Sequence, residues 1–230
     1  MKGGLKKDMW GFYFERLVQS IPFFLKGLWM TVAVSGLSLV AGTVIGFAWG
    51  IVRAGKGRVL KRIIGAWVDL IRGTPFLVQV FIAFFILPEA GIQLEAFPAA
   101  VIALTNLSAC FICEIVAGGI QAIPSGQREA ATASGLSSYQ QLRHIVLPQA
   151  MRIILPPLVG QYVLLIKDSS VVSAIGVTDV TRVGWLTVQM IPEGIMVFGL
   201  VGILYFVICY PLIRLSNTLE RRMTVVTTRL

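Results

Sequence analysis

Five stretches of this chain contain no charged residue: 27–52, 73–88, 96–113, 153–166 and 194–213. A helix needs about 20 residues to cross the hydrocarbon core of a bilayer, so the first and last suffice alone. The others reach that length only by taking in charged flanks. Asp69 and Arg72, three apart on one helix face, are expected to enter the second span as a pair, while Glu114 and Lys167 extend the third and fourth. The fold class this predicts is all-α, a polytopic membrane protein of about five transmembrane helices. Composition agrees: with 56% hydrophobic and 13% charged residues and a mean hydropathy of +0.82, 230 residues do not form an ordinary soluble globule. Pro148 is expected to stop a helix, and Pro156-Pro157 to interrupt the fourth span near its start.

Loop charges orient the spans. Arg53, Lys56, Arg58, Lys61 and Arg62 follow the first span without an acid, whereas Glu89 and Glu95 follow the second without a base. Basic loops stay inside. The same rule puts inside the segment with Arg128, Arg143 and Arg152 and the tail with Arg214, Arg221, Arg222 and Arg229. The segment from Asp168 to Glu193, balanced or acidic, falls outside. Lys2, Lys6, Lys7, Arg16 and Lys26 oppose this arrangement, and Trp10 to Phe24 is therefore read as an interfacial segment on anionic headgroups. Three parts result: an interfacial segment at 1–26, a transmembrane domain at 27–222 with a loop at about 124–152, and a tail at 223–230. With five spans the N-terminus lies outside and the C-terminus in the cytoplasm.

The net charge of +9 and pI near 9.9 follow from that topology, and no base-stacking aromatic pattern accompanies them, so nucleic acid is not the expected partner. Cys110, Cys113 and Cys209 fall in expected spans as reduced packing residues. Cys110-x-x-Cys113 lacks a second ligand pair, and no metal site is expected. Gly42, Gly46 and Gly50 recur every four residues and admit a close neighbouring helix; Gly202 and Gly118-Gly119 are further candidates.

Residues 128–157 form a polar insert in this apolar chain. Residues 127–134 read as a short helix ended by Gly135, which takes a left-handed turn without a Cβ clash. Ser137 and Gln140 stand in capping-box spacing at the start of a second helix, on which Tyr139, Leu142 and Val146 share a face. The result is two short helices set at an angle.

Glu129-Ala130-Ala131, Gly135, His144-Ile145 and Leu147-Pro148 resemble the EAA loop of ABC importer permeases. Arg72-Gly73-Thr74-Pro75, the segment from Glu114 to Pro124, and Leu165 to Ser170 narrow the resemblance to polar amino acid permeases, over about residues 20–222. Ala117 and Phe111 stand where that family commonly has arginine and tyrosine. The resemblance implies a type I importer permease with no cofactor of its own. ATP and magnesium would be bound by two partner ATPase subunits, coupled through Glu129, Ala130, Ala131, Gly135, Tyr139, Leu142, Arg143, His144 and Pro148. It also implies a second permease subunit, identical or homologous, an extracytoplasmic binding protein, an amino acid substrate, and a place in a bacterial inner membrane. The chain has no Gly-x-x-x-x-Gly-Lys-Ser/Thr phosphate loop, so it is not expected to be an enzyme.

A charge at the bilayer centre costs on the order of 3 kcal/mol, which singles out Glu114. Its role divides between contact with solute or gate, a structural ion pair, and a protonated acid. A zwitterionic solute needs both signs of charge within reach, and Glu114, Lys167 and Asp168, with Ser169, Ser170, Thr105 and Asn106, are the candidates to supply them. A secondary transporter or channel working without an ATPase is the rival reading; it would usually show an inverted repeat or several intramembrane charges.

Overall fold

The computed structural model describes residues 2–55 and 57–227, with side chains from 10 to 223 except residue 56. Lys56, Arg229 and the side chains of Lys2, Lys6 and Lys7, used above for topology, lie outside the described residues, as do 228–230 of the tail. All regular structure among the described residues is helical. We number the elements α1 (Lys2–Ala54), α2 (Arg58–Arg72), α3 (Phe76–Glu89), α4 (Ala96–Gln121), α5 (Ser125–Ala133), α6 (Ser138–Ile175), α7 (Val180–Val188) and α8 (Gly194–Thr227).

Four helices are long and apolar enough to span a membrane, and the α2–α3 pair, bent by 106°, makes a fifth if it counts as one span. The second span differs here from the expected run at 73–88. Pro75 has no N–H to give and restricts Thr74, so helix stops at Arg72 and resumes at Phe76. The carbonyls freed at this break do not stay bare: Gln79 Nε2 donates to Ile71 O at 2.7 Å and Thr74 Oγ1 to Leu70 O at 3.0 Å. Asp69 and Arg72 do not enter the span as a pair; each meets a charge on another helix instead.

α1 runs without a break from Lys2 through the first span to Ala54. Its apolar portion, Trp10–Ala54, is 45 residues, roughly 67 Å at 1.5 Å per residue. Leu17 and Phe24 extend the core past the first span by packing with Val180, Val183, Ile191 and Val197. Asp179 caps α7 by accepting from Arg182 N at 2.9 Å, and Thr31 Oγ1 accepts from Val180 N at 3.1 Å. Burial raises the Asp179 pKa, against backbone hydrogen bonds that lower it.

The spacing of Gly42, Gly46 and Gly50 does what it promised. A Cβ at these positions would lie 2.6, 2.7 and 2.6 Å from the Cβ atoms of Ser108, Ile112 and Val116. Numbers rise together on both helices, so α1 and α4 run parallel with their backbones nearly touching. Gly119 likewise admits Ile154 of α6, while Gly118 and Gly202 face open space. α4 is the central helix: 61% of its apolar window is buried, against 17% for α8. Cys110, Cys113 and Cys209 are buried free thiols.

Neither proline site in α6 ends its helix. Residues 142–146 form a π-helical turn, in which Leu147 N reaches back to Leu142 O. The extra residue widens the turn, so the Pro148 ring escapes the carbonyl four positions back that forbids it in a regular helix. α3 repeats the device: a π turn at Ile82–Ile86 is followed by Leu87-Pro88. Pro156 and Pro157 sit inside the continuous helical stretch Leu147–Asp168, supported by Ser216 of α8, whose hydroxyl donates to Pro156 O at 3.1 Å.

Candidate functional site: a capped helix pair and an ion cluster

One end of the bundle gathers the C-termini of α1 and α4, the short helix α5 and the start of α6. The connection between α5 and α6 is fixed by backbone bonds and by the side chains of Ser137, Gln140 and Gln141. Gly135, at φ +76°, lets Gly135 N donate to Thr132 O at 3.0 Å and Leu136 N to Ala131 O at 3.1 Å, the paired bonds of a Schellman motif. Ser137 and Gln140 then close a capping box, with Ser137 N donating to Gln140 Oε1 at 2.8 Å. Gln141 Nε2 joins the two helices, donating to Thr132 Oγ1 at 3.1 Å and Leu136 O at 2.7 Å. Arg128 ties α5 to the bundle by donating to Ile120 O at 2.9 Å. Together these bonds set the two helices at an angle, an elbow at this end of the bundle.

Of the residues expected to couple, Glu129, Ala130, Gly135, Tyr139, Arg143, His144 and Pro148 are exposed, and Leu142 is half-buried. Ala131 is 3% exposed; it packs the elbow and presents nothing outward.

The second constellation joins α1, α2 and α4. Glu114, seven residues or about 10 Å before the end of α4, pairs through Oε1 with Arg53 of α1 and through Oε2 with Arg72 of α2, the latter at 3.4 Å. Arg53 also approaches Asp69 at 4.0 Å, and the Arg72 guanidinium lies 5.4 Å from the Phe111 ring centroid. Two bases thus meet two acids, which offsets the cost of holding Glu114 in a span. Of the three roles open to Glu114, this geometry matches the ion pair. Arg53 reads in the sequence as a topology charge. What makes it a partner is the parallel packing of α1 on α4, a tertiary fact whose only local trace is the glycine spacing.

The other proposed solute contacts do not converge on Glu114. Asn106 Oδ1 accepts from Trp67 Nε1 at 3.0 Å. Ser169 Oγ donates to Ile166 O at 2.7 Å, Ser170 is half-buried beside it, and Lys167 and Asp168 end the α-helical part of α6, which continues as a 3-10 helix. Among the described residues no contact joins any of these to Glu114. Thr105 Oγ1 is buried without a hydrogen-bond partner. Arg72-Gly73-Thr74-Pro75 is placed at the break between α2 and α3, where Arg72 carries charge and the rest shape the bend.

The described residues form a multi-span helical chain with a capped helix pair at one end. Comparison with known proteins names the family. Residues 42–225 match the sequence profile of the binding-protein-dependent transport system inner membrane component. The chain is 36% identical over 208 residues to the glutamine transport system permease protein GlnP of Escherichia coli K12, covering 90% of this chain and 95% of that one. It is 32% identical over 211 residues to the arginine transport system permease protein ArtQ of Bacillus subtilis 168, covering 91% and 96%. A crystal structure of an amino acid ABC transporter with histidines superposes with a TM-score of 0.83 at 31% identity, covering 91% of this chain and 98% of that one. An inward-facing methionine ABC transporter shares the fold, with a TM-score of 0.76 at 24% identity.

The chain belongs to the binding-protein-dependent transport inner membrane permeases. It is the multi-pass permease subunit of an ABC importer, a non-catalytic component, and its family implies ATPase and binding-protein partners. The rival reading as a transporter without an ATPase falls with that membership.

Proposed function

We propose that this chain carries amino acids through the inner membrane and that the elbow of α5 and α6 passes the closing motion of the ATPase into the spans. Relatives named for glutamine, arginine and cystine support the solute class. The elbow carries the coupling proposal: caps and the packing of Ala131 fix its angle, so it moves as one piece. Glu129, Ala130, Tyr139, Arg143, His144 and Pro148 form its outward surface, and Gly135, Ala131 and Leu142 hold its shape. Two ATPase subunits would lie on the cytoplasmic side with ATP and magnesium, beside a second permease subunit. The binding protein would face the opposite end, and the N-terminus would lie outside with the C-terminus in the cytoplasm. Force on the elbow tilts α6 through its π turn and shifts the bundle between two accesses.

The test is uptake by proteoliposomes containing this chain with its ATPase and binding protein, supplied with radiolabelled glutamine, arginine or cystine. Uptake of one of these that requires ATP is the expected result. Uptake of the same solute without ATPase would overturn the coupling, and uptake of none of them would overturn the solute class.

A further inference from the structure

A cleft of about 350 Å³ separates the elbow from the bundle, lined by Ile51, Ala54, Ile120, Arg128, Tyr139 and Leu142 among others. Its two walls differ in kind. The bundle wall, from the ends of α1 and α4, is aliphatic. The elbow wall brings a guanidinium, a phenol and the polar side chains of Ser138 and Gln141. Arg128 spends one terminal nitrogen on Ile120 O, while its Nε is buried without a hydrogen-bond partner.

We propose that this cleft binds an anionic phospholipid, with the phosphate against Arg128 and the first carbons of an acyl chain against Ile51 and Leu142, both of which are half-buried. The chemistry of the walls selects this class. A free anion would leave the aliphatic wall unmet, and a neutral apolar molecule would leave the charge of the Arg128 guanidinium, which lines the cleft, unmatched. The volume falls in the range of small-molecule sites, about 300–1,000 Å³. Position agrees as well, because the cleft lies where α1 and α4 end and charged residues begin. Arg58, Lys61 and Arg62 on the exposed surface of α2 follow directly after, and basic clusters next to a span concentrate anionic lipid. Leu142 and Val146, which also line the cleft, belong to the π turn that joins elbow to span. A lipid seated there touches the joint through which the elbow moves, so lipid composition would set how freely it swings.

The experiment uses the whole importer in nanodiscs, with Tyr139→Trp adding a fluorophore at the cleft and the signal of the parent protein subtracted. Brominated phosphatidylglycerol should quench the added tryptophan more strongly than brominated phosphatidylcholine. Arg128→Gln should weaken that preference about fivefold, the factor equivalent to roughly 1 kcal/mol per basic residue at an anionic surface. Ala54→Phe, which fills the cleft, should abolish it. Equal quenching by both lipids, or a preference untouched by Arg128→Gln and Ala54→Phe, overturns the proposal. Relief of quenching by inorganic phosphate would show a plain anion site and also overturn it. So would quenching that appears only when the ATPase is omitted, which would mean an ATPase side chain fills the cleft.

Discussion

At the scale of single residues, two positions carry most of the consequence. Gly135 stands at φ +76° with nothing within 4 Å of where a Cβ would be, so the obstacle to substitution is backbone strain rather than space. Gly135→Val should cost about 1 kcal/mol or more and open the angle between α5 and α6. Stimulated ATPase of the purified importer and solute uptake should collapse while membrane insertion survives. Gly135→Asn should keep much of both, because asparagine tolerates the left-handed region; equal loss in the two variants would show that the residue matters for something other than φ. Glu114 is the other position. Breaking a fully buried ion pair costs about 3–5 kcal/mol, but the Glu114 side chain is 30% exposed, and screening brings the expectation for Glu114→Gln to roughly 1–2 kcal/mol. The yield and thermal stability of the complex should fall, with partial recovery on adding Arg53→Gln, which removes the stranded cation. Normal assembly with a raised solute requirement would instead make Glu114 a solute contact.

At the scale of elements, the seam between α1 and α4 and the two π turns are the parts to test. Gly46→Leu should force the helices apart and cost at least about 1–3 kcal/mol, read as lost expression of folded protein. Gly36→Leu on the same helix, where a Cβ meets nothing within 4 Å, should be tolerated. Pro148→Ala removes the ring that forbids a regular turn, so 142–146 can relax to α-helix and rotate the elbow by about one residue, 100° on a 3.6-residue helix. We expect assembly to survive and stimulated ATPase to fall; unchanged stimulation would mean that the π turn does not set the elbow's direction. These elements also show what was legible in the sequence. The Gly135 joint, the capping box at Ser137 and Gln140, and the glycine face of α1 were readable because each follows from local geometry at a fixed spacing. Pro148 was misread as a stop because a proline forbids one hydrogen-bond register, and the escape to the next register depends on what holds the helix on either side. The break at Gly73-Thr74-Pro75 hid inside an uncharged run, where hydropathy sees only composition. The partners of Glu114 come from α1 and α2, distant in sequence, and only the packed fold assigns them. Residue type did announce that Glu114 needed a partner.

At the scale of the whole molecule, the open quantity is which end faces the cytoplasm, and the charge distribution makes a definite prediction. Arg53, Arg58, Lys61, Arg62, Arg128, Arg143 and Arg152 belong to segments at the end that carries the elbow, whereas Glu89 and Glu95 flank the turn at the other end. Translocation leaves short basic loops behind, so the elbow should be cytoplasmic and the segment after α7 outside. An odd number of crossings then puts the N-terminus outside, against its own lysines, and makes this the more exacting test of the two-ended assignment. The native cysteines are buried, which leaves introduced thiols as clean reporters. Met190→Cys, at a site 73% exposed, should react with a membrane-impermeant maleimide in intact spheroplasts, and Ser138→Cys, exposed on the elbow, should react only after the membrane is opened. The same fractions should carry the ATPase when the chain is purified in mild detergent, and lose it in Gly135→Val if the elbow is the docking element. Labelling in the reverse order would place the elbow outside. No ATPase could then reach it, and the coupling role would pass to the turn between α3 and α4 or to the segment after α7.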